Sequence, residues 1–391
     1  MIVAIADDIT GAAEIAGACL RLGVPVSFSL DIHPIDKGVL VLATDTRSLG
    51  VEEAIVETRN IANRLFELGV KDVFKKTDSV LRGHVAQELE TLAGVFGREK
   101  VLLSPTNPYT DRRVAKGKYY VKDVPLDMTD FGDDPEFPAF TSSVKELLRP
   151  LSMKVHAGNG IEALVGSRGI TLPDALDMGE LMGIAQEIDE DIFPAGSGAF
   201  FEAFLRVKFS HLCATDKKSS PKPLEGKGIL VAGSNHFQTH AFIKNAINHG
   251  IKVSEMPRML KIQEIHASKM AEWKEDVQFL LRSSNKLIIT LGKIQVRFDN
   301  CANVLKERMA QTVVAAIQEE GVDELMVSGG ATVFAIISRL NWREFIPLEE
   351  LSPGVVRLKE ESTGCYLTIK PGSYNWPEEI IEFFDISCYN A

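Results

Sequence analysis

Short apolar runs alternate with longer amphipathic segments along most of the chain, and this alternation constrains the fold more than any other feature. In the first half the short runs are rich in β-branched residues, as buried strands are. They are MIVAIA, VPVSFSL, GVLVLAT, VKDVFKK and KVLLSPT. The segments Thr10–Leu22, Glu52–Leu68 and Val85–Phe96 lie between them and carry apolar residues at helical spacing. The pattern predicts an α/β fold in which a mainly parallel sheet has helices on both faces.

The length of 391 residues exceeds what one ordinary core needs and predicts two domains. The stretch ATDKKSSPKPLEGKG has the Lys, Ser and Pro content of a linker. After it the alternation resumes with GILVAGS, KLIITLG and ELMVSGG. We therefore predict an α/β domain at residues 1–215, a linker at 216–227 and a second α/β domain at 228–391, with a ligand cleft between the domains.

One segment of the first half departs from the alternation. Prolines and aspartates interrupt the pattern from Asp123 to Phe140, which predicts a long ordered loop of the kind that can serve as a lid. Beyond it, LSMKVHAG predicts a weaker strand, and PAGSGAFFEAFL predicts a helix that is preceded by small residues.

Charge and cysteine usage exclude several classes of protein. The chain has 43 basic and 54 acidic residues, a net charge of −11, which argues against binding to nucleic acid or to an anionic membrane. The first apolar run has no basic leader and stops at Asp7, so it is neither a signal peptide nor a membrane anchor. The five cysteines are dispersed, as in reduced cytoplasmic proteins. We expect a cytoplasmic protein; a homo-oligomer stays open.

Charged residues follow three predicted strands of the first half, at the edge where open α/β sheets bind their ligands. Asp7 and Asp8 follow the first strand, and Asp45 and Arg47 follow the third. The motif KKTDSVLRG follows the fourth and supplies Lys75, Lys76, Asp78, Ser79 and Arg82. Guanidinium groups fork onto carboxylates, and aspartates accept hydrogen bonds from hydroxyls, so this set suits a small polyhydroxylated acid.

Each of these residues also has an explanation that needs no ligand. Asp8 or Thr10 would cap the following helix, Asp78 or Ser79 would cap the next one, and the lysines would be solvated. For one residue these explanations are at least as good as a binding site. For three charged clusters at consecutive strand ends they are much weaker.

The second half offers AGSNHF after GILV and SGGATVF after ELMV. A strand that runs through glycine into a helix exposes backbone N–H groups at the helix N-terminus, a geometry that binds phosphate. Neither stretch is a Walker loop, and GxGxxG follows no strand. His236 and His240 lie four residues apart, a spacing that can hold zinc, but no third ligand is in view and surface histidines are the better explanation. His211 and Cys213 carry little weight as a metal site.

Two other functions fit parts of the sequence. A response-regulator receiver also begins with a strand and two aspartates, and Asp45 would be its phosphorylated residue. A receiver is about a third of this length and leaves KKTDSVLRG unexplained. A Rossmann-type hydroxy-acid dehydrogenase would need the missing dinucleotide fingerprint.

Taken in order, ADDITGA, TDTRS, KKTDSVLRG, PAGSGAFFEAF, GSNHFQTH, SGGAT and IKPGSY resemble the motifs of the four-carbon acid sugar kinase family. That family pairs a sugar-acid-binding N-terminal domain with a nucleotide-binding C-terminal domain. The resemblance runs from Met1 to about Tyr374. Val80 and His84 depart from the family's usual Thr and Asn, whereas Ala331 and Asn375 replace an acidic residue and a glycine on the nucleotide side.

The resemblance implies ATP-dependent phosphorylation of the terminal hydroxyl of a four-carbon acid such as threonate, erythronate or a 3-oxo-tetronate, with Mg²⁺ accompanying ATP. The implied acid-binding residues are Asp7, Asp8, Arg47, Lys76, Thr77, Asp78, Ser79 and Arg82. The implied ATP-binding residues are Ser234, Gly329, Gly330, Ala331, Thr332 and Gly372. Asp8 first and Asp78 second would orient or deprotonate the attacking hydroxyl, and Lys76 would stabilise charge. The metal ligands are not identified by the sequence.

Overall fold

The structure is a computed structural model, and it describes residues 1–34, 37–134, 137–149, 151–158, 167–210, 222–233, 237–264, 266–293, 298, 300–372 and 374–386. The chain divides into two compact units. The N-terminal unit is Met1–Lys217 and the C-terminal unit is Lys218–Ala391. The predicted linker lies partly outside the described residues, since its first six residues, 216–221, are not among them.

The N-terminal unit contains a parallel sheet of eight described strands in the order β2-β3-β1-β4-β11-β5-β10-β9. These strands are β1 Ile2–Ala6, β2 Val26–Ser29, β3 Val39–Ala43, β4 Asp72–Lys76, β5 Lys100–Ser104, β9 Val155–Gly158, β10 Gly169–Pro173 and β11 Ile192–Gly196. β1 and β3 are buried along their whole length, which explains their uninterrupted apolar sequences.

The helices of the N-terminal unit form two groups, because alternate strand residues point to opposite faces of the sheet. They are α1 Ile9–Arg21, α2 Val51–Glu67, α3 Val85–Val95, α4 Val144–Leu147, α5 Met178–Gln186 and α6 Gly198–Lys208. α2 packs against α3, and α6 packs against both α1 and α5. Phe74 of β4 contacts α6 through Phe201, with ring centroids 4.9 Å apart. Its neighbour Val73 belongs to the core under α2 and α3.

A small antiparallel sheet, β6 Arg112–Ala115, β7 Lys118–Val121 and β8 Val124–Pro125, interrupts the parallel fold after β5. The segment predicted as a loop, Asp123–Phe140, begins in this sheet and continues through two short 3₁₀ helices, Leu126–Met128 and Asp130–Asp133. The prediction of a long loop was therefore wrong for its first half. Residues 135–136 lie outside the described residues.

The C-terminal unit contains a sheet in the order β13-β14-β12-β15-β18-β17-β16. Its strands are β12 Gly228–Ala232, β13 Lys252–Glu255, β14 Lys286–Thr290, β15 Glu324–Ser328, β16 Glu344–Ser352, β17 Val355–Glu360 and β18 Tyr366–Lys370. The first five strands in spatial order are parallel, and β17 is antiparallel to both of its neighbours. The mainly parallel α/β prediction is confirmed.

The helices of the C-terminal unit are α7 Phe237–Asn248, α8 Ala267–Ser284, α9 Cys301–Glu320, α10 Gly330–Leu340 and α11 Glu378–Phe383. α7 and α11 share one core with Leu230 and Ala232 of β12. α9 packs against both α8 and α10. Within the described part of the chain, no helix combines the length and apolar character needed to cross a membrane.

Candidate functional site

The order of strands in the N-terminal unit places three loops side by side. From β1 the chain passes to β2 and β3 on one side of β1, and then crosses to β4 on the other side. A reversal of this kind opens a crevice at the carboxyl ends of the strands, where α/β proteins bind ligands. The loops after β1, β3 and β4 carry Asp7 and Asp8, Arg47, and Thr77–Arg82. These predicted residues, distant in sequence, are therefore neighbours.

Arg47 connects all three loops. Its Nε donates to Asp7 Oδ2 at 2.8 Å, and one terminal nitrogen donates to Asp8 Oδ1 at 3.1 Å. The other terminal nitrogen lies 3.4 Å from Asp78 Oδ1. The Arg47 side chain is only 17% exposed, so a nearly buried cation bridges three carboxylates and reduces the repulsion between them.

Asp78 is held by the second arginine of the site. Arg82 donates from Nε to Asp78 Oδ2 at 3.1 Å and from a terminal nitrogen to Oδ1 at 3.0 Å, a bidentate pair. The backbone N–H of Val80 also donates to Asp78 Oδ2, at 3.0 Å. Leu81 lies between them with φ of 63°, in the left-handed region. Asp78 thus shapes the turn after β4 and fixes Arg82 above it.

A third arginine, Arg112, reaches the same turn from β6. It donates to the Ser79 hydroxyl, and Tyr119 of β7 donates to the Ser79 carbonyl oxygen. Phe131 has both guanidinium groups near its ring, with Arg82 at 5.5 Å and Arg112 at 5.3 Å from the centroid. The segment after β8 therefore supports two adjacent cations in the N-terminal unit.

The two lysines of KKTDSVLRG separate because consecutive strand residues face opposite sides of the sheet. Lys75 pairs with the buried Glu88 of α3 at 2.9 Å and belongs to the core. Lys76 pairs with Glu14 of α1 at 3.1 Å and donates to the Thr77 carbonyl oxygen. Only Lys76 lies on the side of α1, where Asp8 begins the helix.

Asp8 is the N-cap of α1, since its Oδ1 accepts from the Gly11 backbone N–H at 3.1 Å. Thr10 also donates to Asp8. Asp7 is more deeply buried, at 1% exposure, and its Oδ1 has no hydrogen-bond partner among the described residues. The hydroxyl of Thr77 is also buried and has no hydrogen-bond partner among the described residues. Buried polar atoms are normally paired, so these two atoms have hydrogen-bonding capacity left over at this edge of the sheet.

The charges of the site hold one another ionised. Burial raises the pKa of the Asp8 carboxyl, but Arg47 and Lys76 outweigh burial and leave the pKa below its ordinary value. For Asp78, burial acts in the same direction and Arg82 and Arg47 again outweigh it, leaving its pKa far below the ordinary value. Burial lowers the pKa of Lys76, and Glu14 and Asp8 more than restore it. The site is therefore a network of fixed charges at neutral pH.

In the C-terminal unit the carboxyl ends of five parallel strands lie in register. Glu255, Thr290, Ala232, Ser328 and Lys370 are consecutive partners across this edge. Two of the predicted nucleotide residues, Gly329 and Gly330, follow Ser328 directly.

Gly329 has φ of 103°, a conformation that side chains rarely adopt, and α10 begins at Gly330. Thr332 is buried in the first turn of α10, beside Gly233 of the neighbouring loop. A Cβ atom on Gly233 would lie 2.3 Å from the Thr332 hydroxyl oxygen. The turn thus presents the N–H groups of Gly330 and Ala331 at the strand edge, whereas the Thr332 N–H donates to the Gly329 carbonyl oxygen at 3.1 Å.

The other predicted nucleotide residues differ in position. Ala331 is exposed in the first turn of α10, and Gly372 lies in the turn after β18. Ser234 and His236 lie outside the described residues, as do His211 and Cys213. Asp45 lies at the start of a 3₁₀ turn, with φ of 54°, and accepts from Ser48.

Lys370, at the end of β18, was not predicted. Its buried ammonium group donates to the carbonyl oxygens of Pro371 at 2.8 Å and Tyr374 at 2.5 Å, and it lies 5.0 Å from the Trp376 ring centroid. Burial lowers its pKa to about 7. Lys370 fixes the turn that contains Gly372, and its carbonyl oxygen accepts from the Gly329 N–H.

The structure also brings Glu14, Arg112 and Phe131 to the acid-side site, none of which the sequence predicted. The run of arginines after KVLLSPT was a usable signal for Arg112. Phe131 gave no signal, because one aromatic residue in an acidic segment is uninformative. Within the described ranges, no three His, Cys, Asp or Glu side chains cluster as a metal site.

Comparison with known families separates the same two parts of the chain. Residues 2–204 match the family described as "Sugar-binding N-terminal domain", and residues 229–374 match "Nucleotide-binding C-terminal domain". The chain belongs to the four-carbon acid sugar kinase family. This is a family of phosphotransferases, and the membership that the sequence motifs predicted is confirmed. The dehydrogenase and receiver alternatives receive no support from these matches.

Curated relatives span nearly the whole chain. A 3-oxo-tetronate kinase of Pectobacterium atrosepticum is 22% identical over 95% of both chains. A second 3-oxo-tetronate kinase, from Pseudomonas fluorescens, is 24% identical over 95% of this chain and 93% of its own length. A D-threonate kinase of Bordetella bronchiseptica is 28% identical, over 52% of this chain and 54% of its own.

Solved structures share the fold. A Salmonella typhimurium LT2 protein superposes with a TM-score of 0.80 at 19% identity, covering 98% of both chains. A Haemophilus influenzae protein superposes with a TM-score of 0.72 at 18% identity, covering 98% of this chain and 99% of its own. At these identities the structures establish the fold alone.

Proposed function

We propose that the protein is an ATP-dependent kinase that phosphorylates the terminal hydroxyl of a four-carbon sugar acid such as threonate, erythronate or a 3-oxo-tetronate. The observation that carries the proposal is the convergence of Asp7, Arg47 and the Thr77–Arg82 turn on one sheet edge of the N-terminal unit. This edge offers both cations for a carboxylate and unpaired polar atoms for hydroxyls. The curated relatives with these names support the same substrate class.

In this proposal Arg82 and Arg112 bind the acid's carboxylate. Their guanidinium groups lie over the same aromatic ring, and the Nε of Arg112 is buried without a partner among the described residues. A planar, forked donor is the usual partner of a carboxylate. Ser79 lies beside Arg112 and would contribute its hydroxyl to the same end of the substrate.

The hydroxyls of the acid would then meet Asp7, Asp8 and Thr77. The unpaired Oδ1 of Asp7 and hydroxyl of Thr77 are suited to accept and donate hydrogen bonds, respectively. Asp8 would orient the attacking hydroxyl more than deprotonate it, because its lowered pKa makes it a weak base. Phosphoryl transfer tolerates a weak base, since positioning and charge neutralisation dominate the barrier. Asp78, committed to Arg82 and Arg47, would organise the cations, and Lys76 would balance the charge of Asp8.

The nucleotide would bind at the glycine turn of the C-terminal unit. The N–H groups of Gly330 and Ala331 at the start of α10 suit its phosphates. The described side chains around the turn offer hydroxyls, including the buried and unpartnered Ser328, and fit Mg²⁺ only as an ion carried by the phosphates. When bound, Mg²⁺ would neutralise part of the phosphate charge.

The test is an ATP-consumption screen of the purified protein against the threonates, erythronates and 3-oxo-tetronates, with turnover expected for at least one. Asp8→Asn should lower kcat by roughly 10²-fold, because the attacking hydroxyl loses the carboxylate that orients it. Asp189→Asn, at an exposed carboxylate in the same unit, is the matched control and should behave as wild type. The proposal would be refuted if no acid is turned over and calorimetry detects binding of neither acid nor ATP.

A second variant tests the nucleotide half. Gly330→Val should abolish ATP binding, because a β-branched side chain would crowd the N–H groups of the turn, and it should leave binding of the acid unchanged. Calorimetric titration with each ligand separately checks this. If both ligands still bind to Gly330→Val, the glycine turn does not hold the phosphates.

A further inference from the structure

A pocket of about 600 Å³ opens at the carboxyl edge of the C-terminal sheet, within the range typical of small-molecule sites. It lies between α7 and the ends of β13 and β14. Ile243 and Ile247 of α7 and Ile262 form apolar parts of its lining. The sequence gave no indication of the pocket, although His240 of the GSNHFQTH motif is among its lining residues.

The polar lining of the pocket is positive. Lys244, Arg258, Lys261 and Lys293 line it, against Glu255 as the carboxylate among the described lining residues. Glu255 is already paired with Lys261 at 2.6 Å. Three cations thus remain beside the apolar surface. This combination suits a ligand with a flat apolar body and an anionic chain.

The position of the pocket relative to the glycine turn follows from strand register. Glu255 and Thr290, both of which line the pocket, are partners in the same row as Ala232 and Ser328. Neighbouring strands are about 4.8 Å apart, so Thr290 lies roughly 10 Å along the edge from Ser328. One extended nucleotide can cover that distance with its phosphates at the turn and its base in the pocket.

We infer that this pocket binds the nucleoside part of the nucleotide, with Ile247 and its apolar neighbours against the base and Arg258 or Lys244 near the first phosphate. The inference rests on the proposed function, because it assigns the other end of the same phosphate-bearing ligand. It adds α7, β13 and β14 to a nucleotide site whose predicted residues lie at the turns near β12, β15 and β18.

Calorimetric titration with ADP and with tripolyphosphate tests the inference, since the two probes differ in whether they carry a nucleoside. Ile247→Ser should weaken ADP about tenfold, the effect of losing one apolar contact of roughly 1.4 kcal/mol. Asn248→Trp should weaken ADP further, because the new ring fills the pocket from an exposed position. Neither variant should change the affinity for tripolyphosphate by more than about twofold.

Phe279→Ser is the matched control, because Phe279 is an exposed apolar residue, at 65%, on α8 outside the pocket. It should bind ADP as the wild type does. If Ile247→Ser and Asn248→Trp bind ADP as tightly as this control, the pocket assignment fails while the kinase proposal stands. If the wild type binds neither ADP nor tripolyphosphate, both fail together.

Discussion

Arg47→Ala is the most informative single substitution in the N-terminal unit. The guanidinium group contacts carboxylates of Asp7, Asp8 and Asp78 at 2.8, 3.1 and 3.4 Å. One such pair 4 Å apart attracts with about 4 kcal/mol at an effective dielectric constant of 20, and most of that attraction offsets the desolvation of the charges. Removing one partner of a buried pair costs about 3–5 kcal/mol, so we expect a loss of that size in the free energy of unfolding at pH 7.

The loss should depend on pH, and its direction follows from the pKa values. In the wild type the pKa of Asp8 and of Asp78 lies below the ordinary 3.8, so both groups stabilise the fold above that pH and lose the contribution as the pH falls through the lowered values. Without Arg47, burial has less opposition and the pKa values rise, more for Asp8 than for Asp78, because Arg82 still lowers the pKa of Asp78. The variant then gains relative stability on protonation. The difference between wild type and variant should therefore shrink between pH 7 and pH 4.

Urea unfolding followed by circular dichroism at pH 7 and pH 4 measures this difference. Arg168→Ala is the control, because Arg168 pairs with Glu99 at 2.9 Å but both side chains are exposed, at 79% and 64%. An exposed pair contributes about 0–1 kcal/mol. An Arg47→Ala loss below about 1 kcal/mol, or one of equal size at both pH values, would refute the view of Arg47 as the buried centre of the site.

Three further substitutions examine other parts of the molecule. Arg112→Lys keeps the charge but loses the planar fork over Phe131, so the KM for the acid should rise about tenfold with the melting temperature nearly unchanged; steady-state kinetics would contradict this if KM stayed the same. Gly198→Ala places a Cβ 2.3 Å from Glu14 Cδ and should displace Glu14 from Lys76. The free energy of unfolding measured in urea should fall by about 1–3 kcal/mol, whereas a gain in stability from helix propensity would contradict the packing argument. Lys370→Met removes a lysine whose pKa burial lowers to about 7. The charged lysine destabilises the fold below pH 7, and this destabilisation decreases as the pH rises towards 10.5. Melting temperatures at pH 7 and 9.5 should show the wild type gaining stability relative to Lys370→Met, and a difference independent of pH would exclude the lowered pKa.

Local sequence carried much of the prediction of the N-terminal fold. The helix predicted over Thr10–Leu22 runs over Ile9–Arg21. The prediction succeeded because the apolar spacing and the N-cap, Asp8, are both local features of this segment. Gly23 follows this helix with φ of 66°, a left-handed conformation that glycine readily adopts at a helix end. The antiparallel strands β6 and β7 were not predicted, and β8 was missed because prolines and aspartates made its segment, Asp123–Phe140, look like a loop.

The acid-side residues were also within reach of the sequence, because each one directly follows a recognisable strand. Parallel strands bring their carboxyl ends to one edge, so Asp7, Arg47 and Asp78 could be grouped without coordinates. The sequence offered Asp8 or Thr10 as the cap of the first helix, since either side chain could serve. Backbone geometry assigns the cap to Asp8 and leaves Asp7 with an unpaired buried oxygen.

By itself, then, the sequence determined the helices and buried strands with clear apolar spacing, the mainly parallel sheets and the strand ends that carry charge, because these depend on residue spacing within one segment. Only the tertiary structure decided which charges meet. It separated Lys75 from Lys76, brought Arg112 and Phe131 to the turn after β4, and buried Lys370 without a carboxylate partner among the described residues. These outcomes depend on strand order and on packing between segments far apart in the chain, and residue spacing within a segment contains neither.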